Sequence, residues 1–573
     1  MNKNIALIGF AFLSVLTSLS WEARADVKMP NIFGDHMVLQ QDVKIPVWGW
    51  AEPGEDVMVT LGDRSAKTKA DGNGKWRLDL DKVSAAAEPQ VLTVTGKNTV
   101  KFEDVLVGDV WLCSGQSNME FGIFHVAKKE TVVDTQIRTF CVLKSAALTP
   151  LDDTFFIPKE IGLDTQMGHW QKEDPGGPWS GFSAVGYLFG KEIRKFTNKP
   201  VGLIGSYWGG TPAQAWTSLS GLEKEPALSN YVNGLQKMPA DQKKKFPVKW
   251  VDYVSAMKKW DKESREPYEK SMKAWEVEAK KAKESGQPEP PKPQMAFPRP
   301  GDPGNVGTST VLFNGMINPL IPFAIKGVIW YQGESNSYNG REYGIMFPNL
   351  IKDWREKWGQ ASSPGSAVSG GDFPFLFVQV AGFGPLASDP SRGNWALLRD
   401  GQSKALALPN TAMAVAIDVG DKNGIHPKNK FTVAERLALA AKHVAYGQEI
   451  VYIGPTYDSM KVEGKNLRVA FKNTGSGLLV SAVPQLPGSP ALPVPTELNG
   501  FEIAGADKKW FVAKAVIDGT TVIVSCDQVA EPVALRYAWG DVPPCNLYNK
   551  EGLPAVPFRT DDWDPKAAFE IPK

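Results

Sequence analysis

A serine in the segment Gly115-Gln116-Ser117-Asn118-Met119 stands where a nucleophile would be useful. Ser117 follows the apolar run 105–113, which is typical of a buried strand, and it opens a helix-like segment. Ligands bind at strand ends in open α/β sheets, and a helix N-terminus offers unpaired N–H donors and a positive dipole end. Such donors would stabilise an oxyanion beside the hydroxyl. The segment therefore predicts a serine nucleophile; the alternative is a serine that only caps a helix.

A serine hydroxyl needs a general base, which is usually histidine. The chain has five His, and His426 fits best because its loop directly follows the apolar run 412–417. A second loop at a strand end is a natural partner for the Ser117 segment. The other four fit less well: His36 lies in an N-terminal β region, His169 in a loop-like stretch, His443 on an apolar helix, and His125 about two turns beyond Ser117 on the same predicted helix.

Two more loops follow buried strands and carry hydrogen-bond donors. The loop 205–211 contains Gly209 and Gly210, which allow close backbone approach and presentation of an N–H. The loop 332–336 contains the amide side chains of Gln332 and Asn336 and the carboxylate of Glu334. Together with the backbone N–H of Ser117, these donors could complete an oxyanion hole. Four such loops converging after four strands are a stronger signal than any single motif.

The composition excludes several classes of partner. Lys and Arg number 64 and Asp and Glu 63, so the net charge of +1 favours neither nucleic acid nor an anionic membrane surface. No CxxC or HExxH spacing occurs, which leaves a zinc site without support. We therefore expect no structural or catalytic zinc. The 19 Trp are suited to stacking on sugar rings, although most of them should be core residues. The residues indicate no oligomeric state.

The first 25 residues resemble a secretory signal peptide. Lys3 is followed by an apolar stretch over 5–19 and by Ala23-Arg24-Ala25, a small-x-small cleavage pattern. We expect export, with cleavage after Ala25, to the periplasm or the medium. No stretch approaches the length of a membrane span. Of the four Cys, Cys526 and Cys545 could pair, whereas Cys113 fits a buried free thiol.

The elements that must position these residues fall into three regions. Residues 26–105 have the short alternating strands of a small β-sandwich. Residues 106–449 alternate buried apolar strands with helices, which predicts an α/β domain with a doubly wound parallel sheet and right-handed crossovers. An insertion at about 222–300, rich in Lys, Glu and Ala, is predicted to be a helical hairpin ending in a Pro-rich connector. Residues 450–573 return to β and form a second flanking sandwich-like domain.

These blocks resemble the sialate O-acetylesterase family, a branch of the SGNH hydrolases that is also similar to certain acetyl xylan esterases. The resemblance covers most of the mature chain in a shared order. Its motifs are Met37-Val38-Leu39-Gln40, Pro46-Val47-Trp48-Gly49-Trp50, the segment 111–120, Trp208-Gly209-Gly210-Thr211-Pro212, the segment 313–320, Gly333-Glu334-Ser335-Asn336, Arg536-Tyr537-Ala538-Trp539 and the segment 553–560.

The resemblance implies Ser117 as nucleophile, His426 as base, and oxyanion donors from Ser117, the Gly209/Gly210 loop and an amide between Gln332 and Asn336. It implies no metal and no cofactor. The activity implied is removal of acetyl groups from sugar hydroxyls, with acetylated sialic acid as the first candidate substrate and acetyl xylan or another plant glycan as the alternative. Arg399 and Trp208 are weaker candidates for substrate contacts; for Arg399 the alternative is a surface salt bridge.

The acid behind the histidine is the open member of the triad. Many SGNH enzymes place an Asp three residues before the catalytic His, and here that residue is Asn423. Asp421 is ranked first, Glu334 is its rival, and Asp418 is a third possibility. A Ser–His dyad with a backbone carbonyl holding the imidazole is also compatible, because loss of the acid weakens a triad without abolishing it. The same departure motivates a function of another class, a non-catalytic carbohydrate-binding protein.

Overall fold

The computed structural model describes residues 26–126, 134–155, 167–172, 181–247, 250–298, 300, 306–360, 372–384 and 393–563. The predicted signal peptide lies outside the described residues. The chain is a mixed α/β protein with a central mixed sheet and additional small antiparallel sheets. Among the described residues, no helix is long and apolar enough to cross a bilayer.

The N-terminal region consists of strands and leads directly into the central sheet. Its strands are β1 (Val38–Gln40), β2 (Ile45–Trp50), β3 (Asp56–Leu61), β4 (Arg64–Lys69), β5 (Lys75–Leu80), β6 (Ala86–Thr95) and β7 (Thr99–Gly115). The 17-residue β7 pairs antiparallel with β6 in its first half. Its second half pairs with central strands, so the expected boundary at 105/106 falls within one continuous strand.

The central region alternates strands and helices. Its further strands are β8 (Ile137–Cys141), β9 (Trp170–Lys172), β10 (Val201–Tyr207), β11 (Gly327–Tyr331), β12 (Phe375–Gln379) and β13 (Thr411–Val415). Its helices are α1 (Ser117–Glu120), α2 (Ala184–Thr197), α3 (Leu219–Glu223), α4 (Ser229–Gln236), α5 (Ala240–Lys243), α6 (Trp250–Trp260), α7 (Glu266–Glu284), α8 (Gly340–Trp358), α9 (Asn394–Ser403) and α10 (Lys430–Val444).

The order of the central sheet is β13-β12-β11-β7-β10-β8-β9, and all its pairs are parallel except β8 with β9. Along β7, Trp111 and Cys113 pack with α2 and α10, whereas Val110 and Leu112 pack with α8 on the other face. Helices therefore cover both faces, which is why these strands are continuously apolar. The chain leaves β7 first toward β8 and β10 and later toward β11. The order thus reverses at β7, and ligands bind at such a point.

The insertion differs from the predicted hairpin in its second arm. α6 and α7 are joined by a π-helical turn, Asp261–Arg265, into one long helical stretch. The return arm is extended chain, held where Trp275 Nε1 donates to Pro290 O at 2.8 Å and Ser264 Oγ donates to Phe297 O at 2.6 Å. The prolines at 288, 290, 291 and 293 lack the N–H groups that a second helix needs.

The C-terminal region is β, as predicted. Its strands are β14 (Thr456–Glu463), β15 (Asn466–Lys472), β16 (Leu478–Val480), β17 (Phe501–Ala504), β18 (Trp510–Val512), β19 (Lys514–Asp518), β20 (Thr521–Ser525), β21 (Ala534–Tyr537), β22 (Leu547–Asn549) and β23 (Phe558–Arg559). They form antiparallel sheets ordered β14-β15-β20-β19, β18-β17-β21-β23 and β16-β22. The pairing considered for Cys526 and Cys545 is not formed, because both are free thiols. Burial raises the pKa of Cys545 to about 12, which keeps it protonated.

Candidate active site

Ser117 begins α1, immediately after the end of β7. The turn before it is held on both sides, since Gln116 N donates to Tyr331 O at 3.0 Å and Trp208 N donates to Gly115 O at 3.1 Å. Gly115 has φ +137°, and a Cβ there would lie 2.2 Å from Tyr331 O, so only glycine fits. The half-buried Ser117 is therefore presented at the ends of three adjacent strands, where the strand order reverses.

The side chain of Asn118 joins this turn to the His426 loop. Asn118 Nδ2 donates to Ile425 O at 3.0 Å and to Glu334 Oε1 at 2.5 Å. Its Oδ1 accepts from Lys430 Nζ at 2.5 Å. Residues next to the nucleophile and next to His426 are thus bonded directly, although they are 307 positions apart. No direct bond from Ser117 Oγ to His426 occurs among the described residues, and such bonds often form only once substrate is bound.

The environment of His426 favours a neutral imidazole. Its ring lies 6.1 Å from that of Phe121, centroid to centroid. Partial burial lowers its pKa below the ordinary 6.5, the charge of Lys430 lowers the pKa further, and Glu120 opposes both. A neutral imidazole near pH 7 can accept a proton, which is what a general base must do.

The three candidate acids lie in different environments. Asp421 is exposed, and its Oδ1 accepts from Asn423 N in its own loop at 2.9 Å. Asp418 is buried against Arg436, with Oδ1 2.6 Å from Nη1 and Oδ2 2.7 Å from Nη2. Glu334 is bound to Asn118, and its Oε2 is buried without a partner. None of the three is hydrogen-bonded to His426 within the described parts of the chain.

Several of the expected oxyanion donors are already used. Gly209 N donates to Glu120 Oε2 at 2.7 Å. Gln332 Nε2 donates to Thr211 O at 3.1 Å and to Asn336 Oδ1 at 2.8 Å, and Asn336 Nδ2 donates to Gln214 Oε1 at 3.1 Å. The prediction that the Gln332 and Asn336 amides donate to an oxyanion does not fit this arrangement, because both are buried and hold loops together. Of the expected donors, the backbone N–H groups of Ser117 and Gly210 have no hydrogen-bond acceptor among the residues that the structure describes. Ser117 starts a helix, and Gly210 is exposed with φ +74°.

The two weaker candidates for substrate contact are both interior residues. Arg399 is 1% exposed, so the predicted substrate contact and its alternative, a surface salt bridge, are both wrong. Its guanidinium donates to four backbone carbonyls, those of Val380, Ala381, Gly540 and Asp541. Trp208 is also 1% exposed, beneath Lys144, whose Nζ lies 5.3 Å from the ring centroid. Neither side chain offers a free surface to a sugar.

Residue types and spacing did not reveal all the neighbours of Ser117. α1 ends at Glu120, so His125 lies on a separate 3-10 turn, Ile123–His125, rather than on the same helix. Its ring lies 4.7 Å from that of Phe121, which also contacts His426. Lys430 and Glu120 were missed entirely. The only local signal for Lys430 was its position four residues after His426, at the start of α10.

Proteins of known family resemble the chain over nearly its whole length. It is 30% identical to sialate O-acetylesterase of Mus musculus over 590 residues, which cover 95% of this chain and 96% of the mouse protein. It is also 30% identical to sialate O-acetylesterase of Homo sapiens, covering 95% of each chain. The crystal structure of a carbohydrate acetylesterase from Xanthomonas citri is 33% identical and superposes with a TM-score of 0.70, covering 94% of this chain and 100% of that one.

No protein-family model matches the chain. Among the described residues, no group of three or more His, Cys, Asp or Glu is placed to hold a metal ion. The resemblance seen in the sequence motifs is confirmed by relatives aligned over nearly their whole length. The chain belongs to the sialate O-acetylesterase family.

Proposed function

We propose that this protein is a carbohydrate O-acetylesterase that hydrolyses acetyl esters on sugar hydroxyls, with an SGNH-type central domain. The observation that carries the proposal is the link from Asn118 to Ile425 O, which holds the His426 loop against the Ser117 turn. The full-length likeness to sialate O-acetylesterases supports the same reaction class and makes acetylated sialic acid the first substrate to test. Acetyl xylan is the alternative, since the related Xanthomonas citri protein is described more generally as a carbohydrate acetylesterase.

The reaction follows from the roles of the two residues. The neutral His426 takes the proton of Ser117 Oγ as that oxygen attacks the acetyl carbonyl. Backbone N–H groups of Ser117 and Gly210 stabilise the tetrahedral oxyanion. His426 then donates that proton to the sugar oxygen as its bond to the acetyl carbon breaks, so the sugar leaves with a free hydroxyl and an acetyl-serine remains. In the second half, His426 takes a proton from the water that attacks the acetyl carbon and returns it to Ser117 Oγ as acetate leaves.

His426 acts in this proposal without a carboxylate partner, as half of a Ser–His dyad. The support is that each of the three candidate acids is hydrogen-bonded to another residue: Asp421 to Asn423, Asp418 to Arg436, and Glu334 to Asn118. The imidazole is then held by the Asn118–Ile425 link and by packing against Phe121.

Export to the periplasm or the medium is also proposed, on the signal-peptide pattern of residues 1–25.

The test is acetate release from a panel in which 9-O-acetyl sialic acid and acetyl xylan are compared side by side. We expect release from 9-O-acetyl sialic acid by the wild-type chain, and none above background by the Ser117→Ala variant prepared in the same way. Strong activity on acetyl xylan alone would change the substrate but keep the mechanism. The absence of acetate from every glycan and from p-nitrophenyl acetate would instead favour the non-catalytic carbohydrate-binding alternative.

A further inference from the structure

A cavity of about 330 Å³ lies away from the four loops of the candidate active site, between the N-terminal β region and the central domain. Trp48 and Trp50 of β2 line it, as does Trp76 of β5. Asp152 and Asn318 line it from the central domain. Pockets at domain interfaces are preferred ligand sites, and this volume is at the small end of their usual range.

Two of these aromatic side chains, Trp48 and Trp50, lie on the less buried face of β2. Along β2 the buried positions alternate with Trp48 and Trp50, which are half-buried. Trp48 pairs with Arg77 across the strands and Trp50 with Lys75, so two indoles and two cations share one face. Trp48 packs in part against the hydrophobic core, but both indoles keep exposed surface that faces the cavity. Covering that remaining apolar surface with a ligand would be favourable.

Trp48 and Trp50 each have a neighbour that lies against the ring. The Trp48 ring packs edge-on against Phe33, 4.8 Å away. The Trp50 ring has Lys28 Nζ 5.5 Å from its centroid, and Lys28 does not line the cavity. Trp76 is 3% exposed and pairs with Gly49 on the opposite face of the two strands, so it supports the sheet behind the two outer rings and offers no stacking surface itself. Trp48 in particular is already packed, so little of its conformational entropy remains to be lost when a ligand stacks beside it.

The polar lining indicates the class of ligand. Lys75 and Arg77 bring two positive charges, and Asp71 and Asp152 two negative charges, so the lining is formally neutral. Lys75 Nζ lies 2.8 Å from Asp152 Oδ2. Carboxylates beside cations suit hydroxyl groups, which both donate and accept, better than a phosphate or another strongly charged group. A pyranose ring combines such hydroxyls with an apolar C–H face that can lie on an indole.

We propose that this cavity is a second, non-catalytic binding site for a neutral pyranose unit of the glycan chain. The inference rests on the glycan substrate proposed above. Its role is to hold the polymer while Ser117 acts on an acetyl group elsewhere along the chain. Binding at two sites on one polymer raises the effective concentration at the active site without any new catalytic contact.

The test measures binding of two neutral oligosaccharides, unacetylated xylohexaose and lacto-N-tetraose, and of the charged sialyllactose by calorimetry, using the full chain carrying Ser117→Ala. We expect binding of at least one neutral oligosaccharide, weakened about tenfold or more by Trp50→Ala. Arg77→Ala is a second probe, because that side chain is exposed and its loss should leave the fold intact. Trp275→Ala is the matched control, since Trp275 is also half-buried with a lysine, Lys292, over its ring.

Three results would overturn the proposal: no neutral oligosaccharide binds, only sialyllactose binds, or binding is unchanged by both Trp50→Ala and Arg77→Ala. Hydrolysis of p-nitrophenyl acetate by the chain with Ser117 intact tests the proposed function separately. Esterase activity without oligosaccharide binding would remove the second site and leave the enzyme assignment in place.

A different observation supports a second inference, at the base of the active site. Lys430 is fully buried at the start of α10, and its Nζ lies 5.2 Å from the ring centroids of both Phe121 and Tyr331. Burial lowers its pKa to about 7, and the nearby Glu334 opposes that shift. Burying a lysine is costly unless it is well partnered. Its hydrogen bond is to Asn118 Oδ1, on the residue after the nucleophile.

We infer that Lys430 is a positioning residue, which fixes the Asn118 amide so that its Nδ2 holds the His426 loop beside Ser117. With Oδ1 committed to Lys430, the amide has only one orientation, in which Nδ2 faces Ile425 O and Glu334 Oε1. Without Lys430 the amide could turn over and release the Ile425 carbonyl. His426 would then no longer be held in position relative to Ser117.

Lys430→Met is expected to lower kcat for p-nitrophenyl acetate about 100-fold while changing KM little, because small misplacements of catalytic groups have effects of that size. Asn118→Ala should lower kcat similarly, since it removes the same link. The matched control is Lys428→Met, which removes an exposed lysine two residues away and should leave kcat unchanged. Thermal unfolding of each variant checks that the fold is kept.

The pH dependence of activity distinguishes this role of Lys430 from a general loss of order in the active-site loops. The charged groups acting on His426 are Lys430 and Glu120, and Glu334 faces Lys430. Activity should rise with pH as His426 loses its proton, with a midpoint below 6.5 in the wild type. Loss of the Lys430 charge should move that midpoint to higher pH, whereas Asn118→Ala keeps the charge. Wild-type kcat in Lys430→Met, or in Asn118→Ala, would overturn the inference.

Discussion

Replacing Ser117 with alanine is expected to lower kcat for p-nitrophenyl acetate by about four to six orders of magnitude, the range typical for loss of a serine nucleophile. The reason is that no acyl-enzyme can form without the Ser117 hydroxyl, while the neighbouring backbone donors remain. The measurement is initial-rate hydrolysis over a range of ester concentrations. Stability should be unchanged, because one hydroxyl is removed from a half-buried side chain.

The matched control is Ser335→Ala, which removes a hydroxyl from the adjacent loop. Ser335 contributes its backbone N–H, which donates to Gln116 Oε1 at 3.1 Å, and that group is kept in the variant. Wild-type kinetics are expected for it. Full activity in Ser117→Ala would contradict the nucleophile assignment, and with it the whole acyl-enzyme mechanism.

Replacing Asp418 with asparagine is expected to reduce the free energy of unfolding by about 3–5 kcal/mol, the usual effect of removing one partner of a buried ion pair. Asp418 binds the Arg436 guanidinium through both oxygens, and its Oδ2 also accepts from Tyr548 OH at 2.8 Å. The side chains of Asp418 and Arg436 are 0% and 5% exposed. The variant leaves a buried cation without its counter-charge and weakens the contact between α10 and the C-terminal strand β22.

The measurement is denaturant unfolding of the wild-type and variant chains. Asp421→Asn, in the same loop but exposed, is the matched control and should unfold like the wild type. The pair of variants also tests the acid: if Asp421 oriented His426, its loss would lower kcat by up to about 10⁴ with no change in stability. An Asp418→Asn chain as stable as the wild type would contradict the structural role given to that carboxylate.

The sequence alone determined the main features of this protein because they depend on local patterns. Apolar runs such as 105–113 and 412–417 are long enough to indicate strands buried on both faces, and they place Ser117 and His426 in loops directly after them. The family was recognisable from motifs spread along the chain in a shared order, and the alignment with relatives confirms it. The β character of both flanking regions likewise follows from the alternation of residues within each strand.

Other features depended on contacts between distant residues. Arg399 was predicted to contact the substrate or to form a surface salt bridge, but four carbonyls from two distant segments surround its guanidinium. Nothing in the local sequence marks Lys430 as the partner of Asn118, because they are 312 positions apart. The prediction that His125 shares a helix with Ser117 failed because α1 is only four residues long.

The tertiary structure therefore decided which side chains of the predicted loops contact and hydrogen-bond one another. The pattern of apolar residues specifies which strands are buried, and so which loops lie at strand ends. Which side chains meet there depends on strand order, and the reversal of that order at β7 is what brings the loops after β7, β10 and β11 together. Hydrogen bonds such as that from Asn118 to Ile425 O form only after this arrangement exists, so a linear sequence carries no local sign of them.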